Sequence, residues 1–311
     1  MKIFFSFAVV MFCISGFSSR AFSCEICGCS LSRPEQQNND QRIFLEYVFE
    51  QQNWHERDVN YAFLLGQNGH DTHDKTTEDF HHYLAGGRLS DRVLLTVEIP
   101  YIVRRALNVE DPAALGDHMR SQGWGDLQVT GEIDFLKDTR RSLGALTGVK
   151  FPTGSTEEKN TDGSLFEPEM QPGSGSYDYL WGAVYHQDWE RLSVSSNAVY
   201  TFKTTGAADF RFGNSFLTNA VVSYAVNPGS RWGVIKPGAQ LNYLHEARQV
   251  DHGQKVGDSG GDSLSLGPVV NVHVGKNSTV FTSLLSPVYQ DVGGIHQKQD
   301  YAWTVGAKIG W

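Results

Sequence analysis

Asp126-Leu127-Gln128-Val129-Thr130-Gly131-Glu132-Ile133-Asp134-Phe135 carries a polar residue at every even position. At the odd positions stand Leu, Val, Gly, Ile and Phe. A period of two describes a strand with one apolar and one polar face. The run is about ten residues long, whereas globular strands average about five or six. A strand crossing a tilted membrane barrel needs about nine to eleven.

The same alternation recurs along the chain. It places apolar or aromatic residues at Tyr177, Tyr179 and Trp181, at Leu192 and Val194, at Leu264 and Leu266, and at Tyr301, Trp303, Val305, Ala307, Ile309 and Trp311. We expect about twelve strands, over 41–54, 79–89, 92–104, 124–137, 141–153, 177–187, 190–203, 214–226, 231–245, 262–274, 278–290 and 300–311. Links after every even strand are short, such as Ser90-Asp91 and Asn227-Pro228-Gly229-Ser230; the others are long and polar. Short periplasmic turns alternating with longer external loops characterise outer-membrane barrels. The expected fold is therefore all-β, an antiparallel transmembrane barrel of about twelve strands over 41–311, with both barrel ends periplasmic.

Facing inward by this phase are Glu46, Glu50, Glu98, Asp126, Glu132, Lys150, His186, Lys203, Lys236, His273 and Lys308. Charges on the lipid face are costly, so alternation assigns these residues to the lumen. Asp126 is expected to anchor there against a cation such as Lys150. The last strand, with Tyr301, Trp303 and the final Trp311, resembles the terminal signal read by the barrel-assembly machinery. A membrane of lipid and lipopolysaccharide is the expected surrounding.

Other features bound the class. Met1-Lys2, an apolar run to Phe17 and Ala21-Phe22-Ser23 form an expected signal peptide over 1–23. Acylation of Cys24 is the alternative, disfavoured by Ala at −3. Loss of Lys2 and Arg20 takes the net charge from −9 to −11. No basic stripe suggests nucleic acid. The mean hydropathy of −0.34 is too polar for a bundle of spanning helices. No phosphate loop or His-Glu-x-x-His helix occurs, so no enzyme is expected.

Segment 24–40 opens with Cys24-Glu25-Ile26-Cys27-Gly28-Cys29. Three thiolates could bind Cu(I) or Zn(II). A disulfide, or a periplasmic partner docked on 24–40, are the competing readings. His70 and His73, with His81 and His82, supply a weaker metal set in the first external loop.

Three segments carry a family resemblance: Gly123-Trp124-Gly125-Asp126-Leu127, Gly148-Val149-Lys150-Phe151-Pro152-Thr153-Gly154 and Gly173-Ser174-Gly175-Ser176-Tyr177-Asp178. With Leu89-Ser90-Asp91-Arg92 through Ile99-Pro100-Tyr101, they resemble the transporter-like outer-membrane family called "Putative MetA-pathway of phenol degradation". That resemblance implies a barrel moving small, hydrophobic or aromatic solutes. Metal handling through the cysteines and a non-transporting, partner-binding barrel are the alternatives. The motif glycines read as structural.

Overall fold

The structure, a computed structural model, describes residues 42–55, 73–108, 118–230, 233–257, 259–275, 277–292 and 297–311. The expected signal peptide, the cysteine segment and His70 lie outside the described residues.

Twelve strands build the barrel: β1 Ile43–His55, β2 His73–Ser90, β3 Val93–Asn108, β4 in two pieces (His118–Trp124 and Leu127–Lys137), β5 Arg141–Phe151 and β6 Asp178–Trp189. The second half comprises β7 Leu192–Phe202, β8 Ser215–Tyr224, β9 Val234–Glu246, β10 Gly261–Val274, β11 Ser278–Val292 and β12 Lys298–Gly310. Each strand pairs antiparallel with its chain neighbour, and β12 pairs with β1 from Phe44 opposite Gly310 to His55 opposite Lys298. The sheet is therefore closed, and its backbone groups find partners within the wall, as hydrocarbon requires. Among the described residues no helix is long and apolar enough to cross a membrane; the crossing is made by strands.

Burial alternates along the strands and fixes which face is which. On β1, Phe44, Glu46, Val48 and Glu50 are buried, while Leu45 and Tyr47 are exposed. Outward Ile133, Trp181, Val222, Val280 and Trp303 stay more than two-fifths exposed. An apolar belt this continuous is incompatible with a water-facing surface and marks the lipid contact. Aromatic residues edge the belt at both ends. On β6, Tyr179 and Trp189 bracket it, and on β8 Phe216 and Tyr224 do so. Ten residues at about 3.4 Å each, tilted by about 40°, span about 26 Å, close to the height of an outer-membrane apolar band.

The expected strand limits agree closely with the observed ones, except at the long-loop end of β2, β3 and β4. There β2 starts at His73 rather than 79, and β3 runs on to Asn108. The extra residues, such as Lys75-Thr76-Thr77-Glu78, are polar because they stand above the apolar belt. Alternation of hydrophobicity has no purchase on them. Taking short turns as periplasmic, this long-loop end is external.

Candidate functional site

All eleven residues expected in the lumen fall on the inward face; seven are buried, and Glu132, Lys236, His273 and Lys308 are half-buried. Glu46 on β1 stands opposite Lys308 on β12, whose ammonium sits 4.5 Å from the Phe44 ring centroid. Glu50 accepts a bond from Gln52 at 2.6 Å. Glu98 pairs with His82 at 2.8 Å. His186 bonds Ser195 and Asp188, both at 2.9 Å. Lys236 donates to Ser193 at 3.0 Å, and His273 meets Thr279 at 3.0 Å. Lys203 pairs with Glu246 at 3.3 Å, both almost fully buried. Glu132 is half-buried on the same face of β4.

The expected Asp126–Lys150 pair forms at 3.2 Å, and it is part of a larger cluster. The Lys150 ammonium lies 2.6 Å from Asp178 and donates to the Ser174 hydroxyl at 2.7 Å. Asp126 accepts the backbone N–H of Gly154 and of Ser174, each at 2.9 Å, and the Ser174 hydroxyl at 2.6 Å. Asp178 accepts the Ser176 hydroxyl at 2.9 Å and the Thr204 N–H at 3.1 Å. Two buried carboxylates thus share one cation, and the remaining charge is met by amide and hydroxyl donors. Buried charges need such saturation. Sequence reasoning paired Asp126 with Lys150 but left out Ser174, Ser176 and Asp178. Their signal was available: three polar residues at period two, immediately before Tyr179 and Trp181.

The cluster pins the third external loop, residues 152–177, into the barrel mouth. A Cβ on Gly173 would lie 2.4 Å from the Gly154 carbonyl carbon, so the two ends of the loop touch backbone to backbone. Deeper in the loop, Phe166 and Met170 pack against inward Ala106 and Met119. The Gln171 carbonyl accepts from Arg104 at 2.7 Å, while Arg104 pairs with Glu78 at 2.6 Å. Below the loop, His82, Gln240 and Asn271 are at most 1% exposed. The middle of the lumen is filled by its own side chains, as in other small barrels.

The two halves of the wall differ. Strands β1 to β6 point Glu50, Glu78, Glu98, Arg104, Asp126 and Lys150 inward. Strands β7 to β11 mainly contribute neutral groups: Ser195, Asn197, Asn219, Gln240, Asn271 and Ser283, with Val199, Val221 and Val269 between them.

Of the histidines expected as a weaker metal set, His81 and His82 do not converge. His81 and His82 are neighbours on β2, and strand geometry sends them to opposite faces. His82 is fully buried against Glu98, whereas His81 faces outward and bonds the Tyr47 hydroxyl at 2.8 Å. His73 opens β2. Among the described residues no group of three His, Cys, Asp or Glu could hold a metal ion.

The family model described as "Putative MetA-pathway of phenol degradation" matches residues 72–289. The chain belongs to this family. All three motif segments that carry the resemblance meet at the Asp126–Lys150–Asp178 cluster. No curated protein matches the chain in sequence. Among solved structures, the β-domain of the Bordetella autotransporter BrkA is similar, with a TM-score of 0.50 and 9% identity over 88% of this chain and 100% of that one. The translocator domain of NalP from Neisseria meningitidis gives 0.49 and 10% over 91% and 92%. The CymD monoaromatic hydrocarbon channel gives 0.45 and 8% over 88% and 89%. At such identities the likeness concerns the fold.

Proposed function

We propose that this barrel is an outer-membrane transporter for a small neutral amphiphile of the phenolic kind, gated by the third external loop. The observation that carries the reading is the inward fold of residues 152–177, tied to the wall by Asp126, Lys150 and Asp178. A loop held across a mouth by a few charged contacts and one small apolar cluster can serve as a bistable element. The neutral middle of the β7 to β11 wall, between the Lys203–Glu246 pair at one end and Lys236 with His273 at the other, supports the solute class. Its amide and hydroxyl groups can bond a phenolic hydroxyl, and the valines between them suit a ring; Asn271 Oδ1 and Ser283 Oγ have no hydrogen-bond partner within the described protein. Charged solutes would have to pass the paired charges of the opposite wall. The family description points to the same solutes.

The test is initial uptake of labelled phenol at low concentration by porin-depleted cells, whose lipopolysaccharide leaflet slows lipophilic solutes. Expression of the protein is expected to raise the rate, and Lys150→Ala to raise it further. Identical rates with and without the protein, and with the variant, would refute the proposal.

A further inference from the structure

On the lipid-facing side of β2, β3 and β4, a cationic group stands directly above the aromatic edge of the belt. The register places Arg105 opposite Arg120 and opposite Thr77, with Lys75 two residues beyond Thr77 on the same outward face. Directly opposed residues in an antiparallel pair have Cα atoms about 4.5–5.5 Å apart. Like charges in that position repel unless an anion sits between them. The protein supplies one carboxylate: Asp79 pairs with Arg105 at 2.7 Å, and its other oxygen is taken by Gln51. Among the described residues, Arg120 reaches the neutral Gln122, at 2.8 Å. Three cations thus stand against one carboxylate among the described residues, a local excess of positive charge on an otherwise acidic chain. Arg105 is about half exposed, and Lys75 and Arg120 are exposed.

Beneath this group lies a continuous shelf of rings. Tyr101 packs on Trp124 with centroids 5.3 Å apart, and Trp124 on Tyr83 at 5.7 Å. Tyr83 continues to Tyr47 at 5.4 Å. Such rings mark the depth of the membrane interface. Arg105 follows Tyr101 by four residues on β3, which raises it about 10 Å above the shelf along a tilted strand. That is the level of headgroups in the outer leaflet.

We infer that Lys75, Arg105 and Arg120 form a binding site for the phosphate of a phosphorylated glycolipid of the outer leaflet, whose acyl chains lie on the Tyr83–Tyr101–Trp124 shelf. Guanidinium forks match phosphate oxygens in pairs, and the ligand relieves the Arg105–Arg120 repulsion. The site does not depend on the transport reading, since it lies on the outside of the wall.

The experiment is native mass spectrometry of the detergent-purified full chain titrated with diphosphoryl lipid A. Retained heat-shifted migration in gels shows that each variant is folded. Arg105→Gln with Arg120→Gln is expected to weaken occupancy by about tenfold for each arginine lost. Arg105→Lys with Arg120→Lys is expected to bind between wild type and the Gln variant, keeping the charge but losing the guanidinium fork. Lipid A stripped of phosphate is expected to bind the wild type no better than diphosphoryl lipid A binds the Gln variant, and millimolar inorganic phosphate is expected not to displace the lipid. Equal binding by wild type and the Gln variant, or equal binding of the stripped lipid, would overturn the site. Displacement by inorganic phosphate would overturn its assignment to a lipid.

Discussion

Replacing Lys150 with Ala removes the one cation between Asp126 and Asp178, whose side chains are only 4% and 1% exposed. Removing one member of a buried ion pair typically costs about 3–5 kcal/mol, because the remaining charge stays buried and unmatched. Here two carboxylates are stranded, but each retains amide and hydroxyl donors, so the lower end is the better guide. The cost falls on the closed loop, since opening rehydrates Asp126 and Asp178. A change of about 3 kcal/mol is a little over a hundred-fold in an equilibrium. Hydrogen exchange reads it directly. The N–H groups of Gly154 and Ser174 are both donated to Asp126 and are free only when the loop leaves. Their protection is expected to drop about a hundred-fold in the variant, while amides in the middle of β8, remote from the loop, keep theirs. A triple variant, Asp126→Asn with Lys150→Met and Asp178→Asn, removes all three charges and is expected to recover part of the loss. Unchanged protection at Gly154 and Ser174 in Lys150→Ala would show that the cluster does not hold the loop.

Gly173→Ala forces a Cβ to within 2.4 Å of the Gly154 backbone and is expected to destabilise the closed loop by about 1–3 kcal/mol, read as faster proteolysis within 152–177. Asp138 lies in the β4–β5 turn, where the Arg140 N–H, then the Arg141 side chain, hold its carboxyl below the ordinary 3.8. Its folded value is depressed, so its contribution to the turn is present above about pH 4 and is lost as pH falls through the folded value; a carboxyl titration midpoint at or above 3.8 would contradict this. Trp311 exchanges backbone bonds with Ile43 across the β1–β12 seam. Trp311→Ala is expected to slow assembly, measured as accumulation of the unfolded form in the periplasm. If Cys24, Cys27 and Cys29 bind Cu(I) or Zn(II), the full chain retains metal by elemental analysis, and the triple Ser variant does not.

The strand plan was legible because membrane strands are repetitive. Burial on one side by lipid and on the other by polar side chains imposes strict alternation over ten residues, and the seam between β12 and β1 follows from closure. Legibility ended at the level of the aromatic belt. His73 to Glu78 form strand, yet they alternate nothing hydrophobic, because the sheet there stands in water and is held by pairing with β1 and β3 rather than by lipid. His81 and His82 show the same limit in another form. As residues in a loop they are a plausible pair of ligands; as consecutive residues of β2 they are separated by the thickness of the wall.

The site was half legible for a different reason. Alternation within β4 and β5 sends Asp126 and Lys150 to the same side, and the register opposes Gln128 to Lys150, so their meeting follows from strand geometry. The loop that completes the cluster has no period to read. Its evidence lay in composition: Phe166, Pro168, Met170 and Pro172 are unusually apolar for a water-exposed loop, and such residues need a surface to cover. That surface is the lumen side of Ala106 and Met119. The glycines of the three motifs belong to the same argument. Gly154 and Gly173 permit the loop ends to touch, which brings the amide donors onto Asp126. Reading those glycines as structural fits these contacts, and what they structure is the inward-folded loop proposed as the gate. Their replacement should alter gating before it alters the barrel.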